Sequence, residues 1–184
     1  MAFAVILYLD LAADAEVQSL WASLAEKEIS SVMAAMGVRP HISLAGIEHV
    51  ETEPFCQALD VFAQNTPPLT TQFESVGTFP TEQGVVYLAP VVTRELLRLH
   101  EEFNHLLTEM GLSSHEYYRP GNWVPHCTIA INLTPAQVPA AVTICCQSKV
   151  FHTVALTHIG LVEYLPVREI RTFPLGGMTH VESH

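Results

Sequence analysis

Two short segments of this chain carry nearly the same chemistry. Pro40-His41-Ile42-Ser43-Leu44-Ala45 and Pro125-His126-Cys127-Thr128-Ile129-Ala130 agree in kind at five of six positions. In an extended strand, residues two apart share a face. Each segment therefore presents one imidazole and one hydroxyl together, His41 with Ser43 and His126 with Thr128, while Ile42 and Cys127 turn to the opposite side. Imidazole, with a free pKa of roughly 6.5, can take or give a proton near neutrality. Two imidazoles and two hydroxyls around one point leave room for a tetrahedral anion such as phosphate. One histidine would serve as base and the other as acid in phosphodiester cleavage. The hydroxyls would donate hydrogen bonds to the non-bridging oxygens, where charge concentrates in the transition state. No metal is required for this chemistry.

The elements that must hold these residues can be read from the apolar pattern. Residues 3–11 are rich in Val, Ile, Leu and Tyr and alternate too little for a half-exposed strand, so they predict a strand covered on both faces. Asp14 is read as the N-cap of the helix that follows, whose Val17, Leu20, Trp21 and Leu24 recur at helical spacing, with Gly37 past its end. Residues 41–47 predict the next strand, residues 53–64 a helix stopped by Pro67 and Pro68, and residues 69–79 a third strand. A strand over 85–90 follows, then a helix with a stripe of Leu96, Leu99, Phe103, Leu106 and Met110, ended by Gly111. Beyond the loop Leu112–Val124 come a strand over 126–133, a helix started by Thr134 and Pro135, and strands over 150–164 and 167–174.

The order repeats. Tyr8-Leu9 matches Tyr87-Leu88, Met36-Gly37 matches Met110-Gly111, and Pro40-His41 matches Pro125-His126. The expected fold is α+β: a single 1–184 domain of two lobes, formed by halves of roughly 1–80 and 81–184. Each lobe is an antiparallel sheet with helices on its outer face, related by a pseudo-twofold axis, with a cleft between them as the natural site.

With the motifs in place, the chain resembles the two-histidine phosphoesterase superfamily, which includes the 2′-5′ RNA ligases and cyclic nucleotide phosphodiesterases. The signature of that family is a pair of His-hydrophobic-Thr/Ser-hydrophobic strands in a duplicated α+β fold, and here it extends to Leu161-Val162-Glu163-Tyr164 and Arg171-Thr172-Phe173. The resemblance implies that His41 and His126 are catalytic and that Ser43 and Thr128 bind phosphate. It implies a substrate that is a 2′,3′-cyclic or 2′-5′ phosphodiester of an RNA end or a small nucleotide. Ser43 stands where Thr is commoner, which the hydrogen-bonding role permits.

Composition narrows the partners. The net charge is −11, from 19 acidic residues against 8 Lys and Arg, which disfavours a long nucleic-acid tract. The apolar run at the N-terminus is too short for a membrane span or a signal core, and Cys56, Cys127, Cys145 and Cys146 show neither a disulfide framework nor a zinc pattern. A cytoplasmic protein without cofactor or metal is the expectation. Trp123 in the long loop could stack on a base or pack at the core edge, and Tyr117, Tyr118 and Arg119 beside it could meet base and phosphate or stay exposed. Tyr8 and Tyr87 could line the cleft or fill the core. His100 and His105, five apart on a helix, share no face; His49, His115, His152 and His158 have no convergent ligand pattern, and His180 and His184 lie in the C-terminal tail. Two further functions fit the same residues: a non-catalytic module binding a nucleotide or RNA terminus in the cleft, and a metal-dependent hydrolase built on the ten histidines.

Overall fold

In the computed structural model, residues 2–164 and 166–177 are described, so His180 and His184 lie outside the described residues. The elements run β1 (Phe3–Leu9), α1 (Leu11–Glu26), α2 (Val32–Ala35), β2 (His41–Ile47), α3 (Thr52–Asn65), β3 (Leu69–Phe79), β4 (Val85–Pro90), α4 (Arg94–Glu109), β5 (Cys127–Ala130), α5 (Gln137–Gln147), β6 (Thr153–Glu163) and β7 (Arg168–Pro174). All pairings are antiparallel, in the order β2-β1-β6-β3-β4-β5, with β7 also on β6.

β1 is apolar throughout because it is the covered centre of its sheet, paired with β2 on one side and β6 on the other. Every residue from Ala4 to Leu9 is buried. The helices pack in pairs: α1 against α5, and α3 against α4 through the edge-to-face rings of Phe62 and Phe103, 5.5 Å apart. The fold is the antiparallel α+β arrangement expected from the sequence.

The strand pairing does not follow the halves of the sequence. β6, from the second half, completes the sheet of β1 and β2, whereas β3, from the first, pairs with β4 through Phe73–Phe79. α1 likewise packs against β5 as well as β1. The alternation of apolar residues tells which face of a strand is buried and not which strand lies beside it, so this exchange has no signature in the periodicity.

Local corrections have local causes. The N-cap of α1 is Asp10, whose carboxylate accepts from the amides of Ala12 and Ala13 at 3.0 and 3.1 Å. Asp14 lies one turn further in and is buried. α1 stops at Glu26, so Gly37, with φ 77°, follows the short α2 instead. Gly111, with φ 70°, ends α4 as expected. The buried stripe of α4 is Leu96, Leu99, His100, Phe103 and Leu107; Leu106 and Met110 sit at its margin.

Candidate functional site

β2 and β5 stand at the two ends of the strand order, and these ends turn toward each other. The Cys127 thiol hydrogen-bonds the main chain of His41, tying one motif to the other from behind, and burial pushes its pKa up to about 12. The motif residues on the open side are His41 and Ser43 from one end and His126 and Thr128 from the other. The two imidazoles are close enough that charge on one disfavours charge on the other.

The histidines are held alike. His41 Nδ1 lies 2.6 Å from the Arg39 carbonyl, and His126 Nδ1 lies 2.7 Å from the Val124 carbonyl, in each case two residues upstream. A carbonyl can only accept, so the proton of each neutral ring resides on Nδ1 and Nε2 is left to exchange a proton with a substrate. Burial lowers both pKa values, that of His41 to about 4, helped by the neighbouring His126. His41 is 8 % exposed, while His126 is only partly buried.

A bulge follows each hydroxyl. Ile6 pairs with Ser43 and Val5 with Ala45, passing over Leu44; Tyr87 pairs with Thr128 and Val86 with Ala130, passing over Ile129. The extra residue bends and twists the strand just past the site, which is how bulges re-aim side chains. The carbonyls at the same positions are held by the two tryptophans: Trp123 Nε1 donates to Ser43 at 2.9 Å, and Trp21 Nε1 donates to Thr128 at 3.2 Å. Each tryptophan reaches the motif of the other sequence half. In the sequence Trp21 is legible only as an apolar helix position, because its partner is distant along the chain.

The matched tyrosines are not equivalent. Tyr8 lies opposite His41, whereas Tyr87 lies opposite Thr128, a shift of one step along the face. Tyr8 is 1 % exposed, its hydroxyl donates to Glu169, and the Arg39 guanidinium stands 4.6 Å over its ring. It supports His41 from across the strand pair. Tyr87 stacks on Phe79 at 4.5 Å, and both rings frame His126, at 5.3 and 4.9 Å. Arg39, two residues before His41, is on the site's side of the sheet, with its guanidinium over the Tyr8 ring. Its guanidinium pairs with the buried Asp14 at 2.8 Å.

Trp123 has one face covered by the His100 ring, 3.9 Å away and within 5° of parallel, so that face and its N–H are already engaged. Tyr118 shares a hydrogen bond with the Ser43 side chain. Arg119 donates through Nε to the Ser114 carbonyl at 2.9 Å and lines a hollow between its own loop and the end of β2, with Gly46, Glu48, Ser113, His115 and Glu116. Among the described residues no three His, Cys, Asp or Glu side chains converge as metal ligands, and no helix is long and apolar enough to cross a membrane.

Paired His-x-Ser/Thr strands on an antiparallel α+β frame define a two-histidine phosphoesterase. The profile of the 2′-5′ RNA ligase superfamily matches residues 9–168, and the chain belongs to that family. The fold is shared with solved structures of low identity. E. coli LigT complexed with 3′-AMP is 16 % identical with a TM-score of 0.65, covering 95 % of this chain and 97 % of its own. A protein described as a phosphoesterase is 18 % identical with a TM-score of 0.63 over 95 and 97 %. TT0787 of Thermus thermophilus is 19 % identical with a TM-score of 0.60 over 97 and 100 %. No match is found among curated proteins. The family implies an enzyme of the phosphoesterase or ligase type acting on RNA or nucleotides.

Proposed function

We propose that this protein is a metal-independent phosphoesterase that opens a 2′,3′-cyclic or 2′-5′ phosphodiester at an RNA end or in a small nucleotide. The observation that carries the reading is the pair of imidazoles, each fixed through Nδ1 by a carbonyl two residues upstream and each left with Nε2 free for proton transfer. The solved complexes of LigT with 3′-AMP, ATP and NADP+ support a small adenine nucleotide as the scale of ligand.

The phosphate lies between the rings, its non-bridging oxygens accepting from Ser43 and Thr128. His41, buried and neutral, takes the proton of the attacking water. His126, less enclosed, gives its proton to the leaving ribose oxygen. The phosphate's negative charge raises both imidazole pKa values on binding, which supplies the imidazolium that the acid step needs. Each turnover returns the pair to its starting state after one proton passes from His41 to His126 through solvent. A protein with a net charge of −11 suits a terminal or small ester better than an RNA tract.

The test is incubation with 2′,3′-cyclic nucleotides and a 2′-5′-linked dinucleotide in the presence of a chelator, with products resolved by chromatography. Turnover should persist in the chelator. It should fall by about 10² to 10⁴ in His41→Ala and in His126→Ala while the melting curve is retained. An ester with an activated phenolate leaving group should recover part of the His126→Ala loss and none of the His41→Ala loss, since only the acid becomes dispensable. Full activity in either alanine variant would remove the mechanism. Binding without product in the wild type would favour a nucleotide-binding module.

A further inference from the structure

His100 is a buried histidine that the mechanism above does not use. It projects from α4 at 1 % exposure and lies 18 residues before Tyr118 in the chain. Its Nε2 bonds the Tyr118 carbonyl at 2.8 Å, so that nitrogen carries the proton. The Leu44 carbonyl, at the bulge that follows Ser43, also faces the ring. Its face lies flat on Trp123. The Asn104 amide, one turn along the same helix, donates to the His100 carbonyl at 2.9 Å and closes over Nε2 at 3.1 Å. Two of the residues that His100 fixes hold Ser43: Trp123 donates to the Ser43 carbonyl, and Tyr118 shares a hydrogen bond with the Ser43 hydroxyl.

A histidine filling a core position for packing alone would need one partner for each nitrogen and nothing more. Here every polar or ring contact beyond its own helix lands on a residue that touches Ser43 or stands next to it. We propose that His100 is a positioning residue: through Trp123, Tyr118 and the Leu44 carbonyl it locks the Ser43 hydroxyl in the orientation that meets the phosphate. The inference rests on the phosphoesterase reading. Thr128 also has a tryptophan on its carbonyl, Trp21, but the His100 contacts fall on Tyr118 and Trp123 and not on Trp21, so His100 acts on the first motif alone. The bond with the Tyr118 hydroxyl fixes the rotamer of the Ser43 hydroxyl.

The experiment is a cycle with Ser43→Ala, since a residue that acts through the Ser43 hydroxyl loses its effect once the hydroxyl is gone. His100→Leu, Ser43→Ala and the double variant are assayed on 2′,3′-cyclic nucleotide, with melting curves alongside. His100→Leu should lower kcat about tenfold with little change in KM, and should cost less than about twofold when added to Ser43→Ala. His100→Gln, which keeps an N–H toward the Tyr118 carbonyl, should recover part of the loss. If His100→Leu does not fold, Tyr118→Phe carries the same test, because it removes only the hydroxyl that meets Ser43. Equal losses in both backgrounds, or wild-type kcat in His100→Leu, would overturn the proposal.

Failure here is distinct from failure of the phosphoesterase reading. If the wild type turns over and the losses multiply, only the role of His100 falls. If the wild type does not turn over, the same cycle is read by calorimetry with inorganic phosphate: loss of binding in His100→Leu that vanishes in the Ser43→Ala background supports the positioning role, and unchanged or multiplying losses refute it.

Discussion

A main-chain carbonyl sets the tautomer of His41 and of His126, the proposed base and acid, and burial sets their charge. Because burial lowers both pKa values, that of His41 to about 4, the free protein at neutral pH holds two neutral rings and lacks its acid. The value of kcat/KM, which reports groups of the free protein, should therefore rise as pH falls through 6.5 and drop again toward 4. Bound phosphate stabilises an imidazolium, so kcat should peak nearer neutrality than kcat/KM. A kcat/KM that stays flat between roughly pH 6 and 9 would contradict this assignment. The same shifts act on folding. The unfolded rings bind protons below about 6.5 and the folded ones do not, so the stability supplied by the neutral buried His41 is complete above that pH and is lost as pH falls toward 4. Urea midpoints across this window would measure it. The histidine pair and both hydroxyls could be read from the sequence because a period of two and a repeated motif place them together without knowledge of distant contacts. Arg39, Asp14 and His100 could not. Their roles depend on a 25-residue separation for the ion pair, and on a helix face meeting a loop for His100.

Among the elements, β3 and β6 hold glycines where tyrosines cross them. A Cβ on Gly77 would stand 2.3 Å from Tyr87 Cζ, and one on Gly160 would stand 2.7 Å from Tyr8 Cε2. Neither position needs a left-handed backbone; each needs the absence of a side chain. Gly77→Ala should push Tyr87 off the Phe79 stack and away from His126, and Gly160→Ala should lift Tyr8 from beneath Arg39. Each should destabilise by about 1–3 kcal/mol in thermal or denaturant unfolding. Gly77→Ala should also lower kcat, since Tyr87 frames the proposed acid. An unchanged melting curve in both variants would mean that the rings move freely. In the sequence these glycines read as ordinary interruptions of a strand. The strands themselves were plain: β2, β3 and β4 begin and end where the apolar pattern and the flanking prolines place them. The start of α1 was less so: the apolar run carries on to Leu11 and draws Asp10 into the strand, whereas the chain turns at Asp10, whose carboxylate takes the first amides that lack partners.

At the level of the whole molecule, the two halves of the sequence are built into each other. β6 completes the sheet of β1 and β2, β3 pairs with β4, and each tryptophan crosses to the opposite motif. Residues 1–80 produced alone would leave β1 with one bare edge and β3 without its partners, and residues 81–184 would present β6 with no β1. We predict that neither half gives a cooperative melt and that mixing them restores helix and sheet signals by circular dichroism; independent folding of either half would show that the exchange is dispensable. The duplication was visible in the order of anchors. The exchange was not, since nothing in a strand's own pattern names its neighbour. The two indoles that cross between halves are also the only ones the chain has. Each is bonded to the residue whose side chain would grip the phosphate, so the protein's intrinsic fluorescence reports the site from both sides without a label. A ligand that orders Ser43 and Thr128 should change the emission of Trp123 and Trp21, and single Trp→Phe replacements would assign the light to one motif or the other.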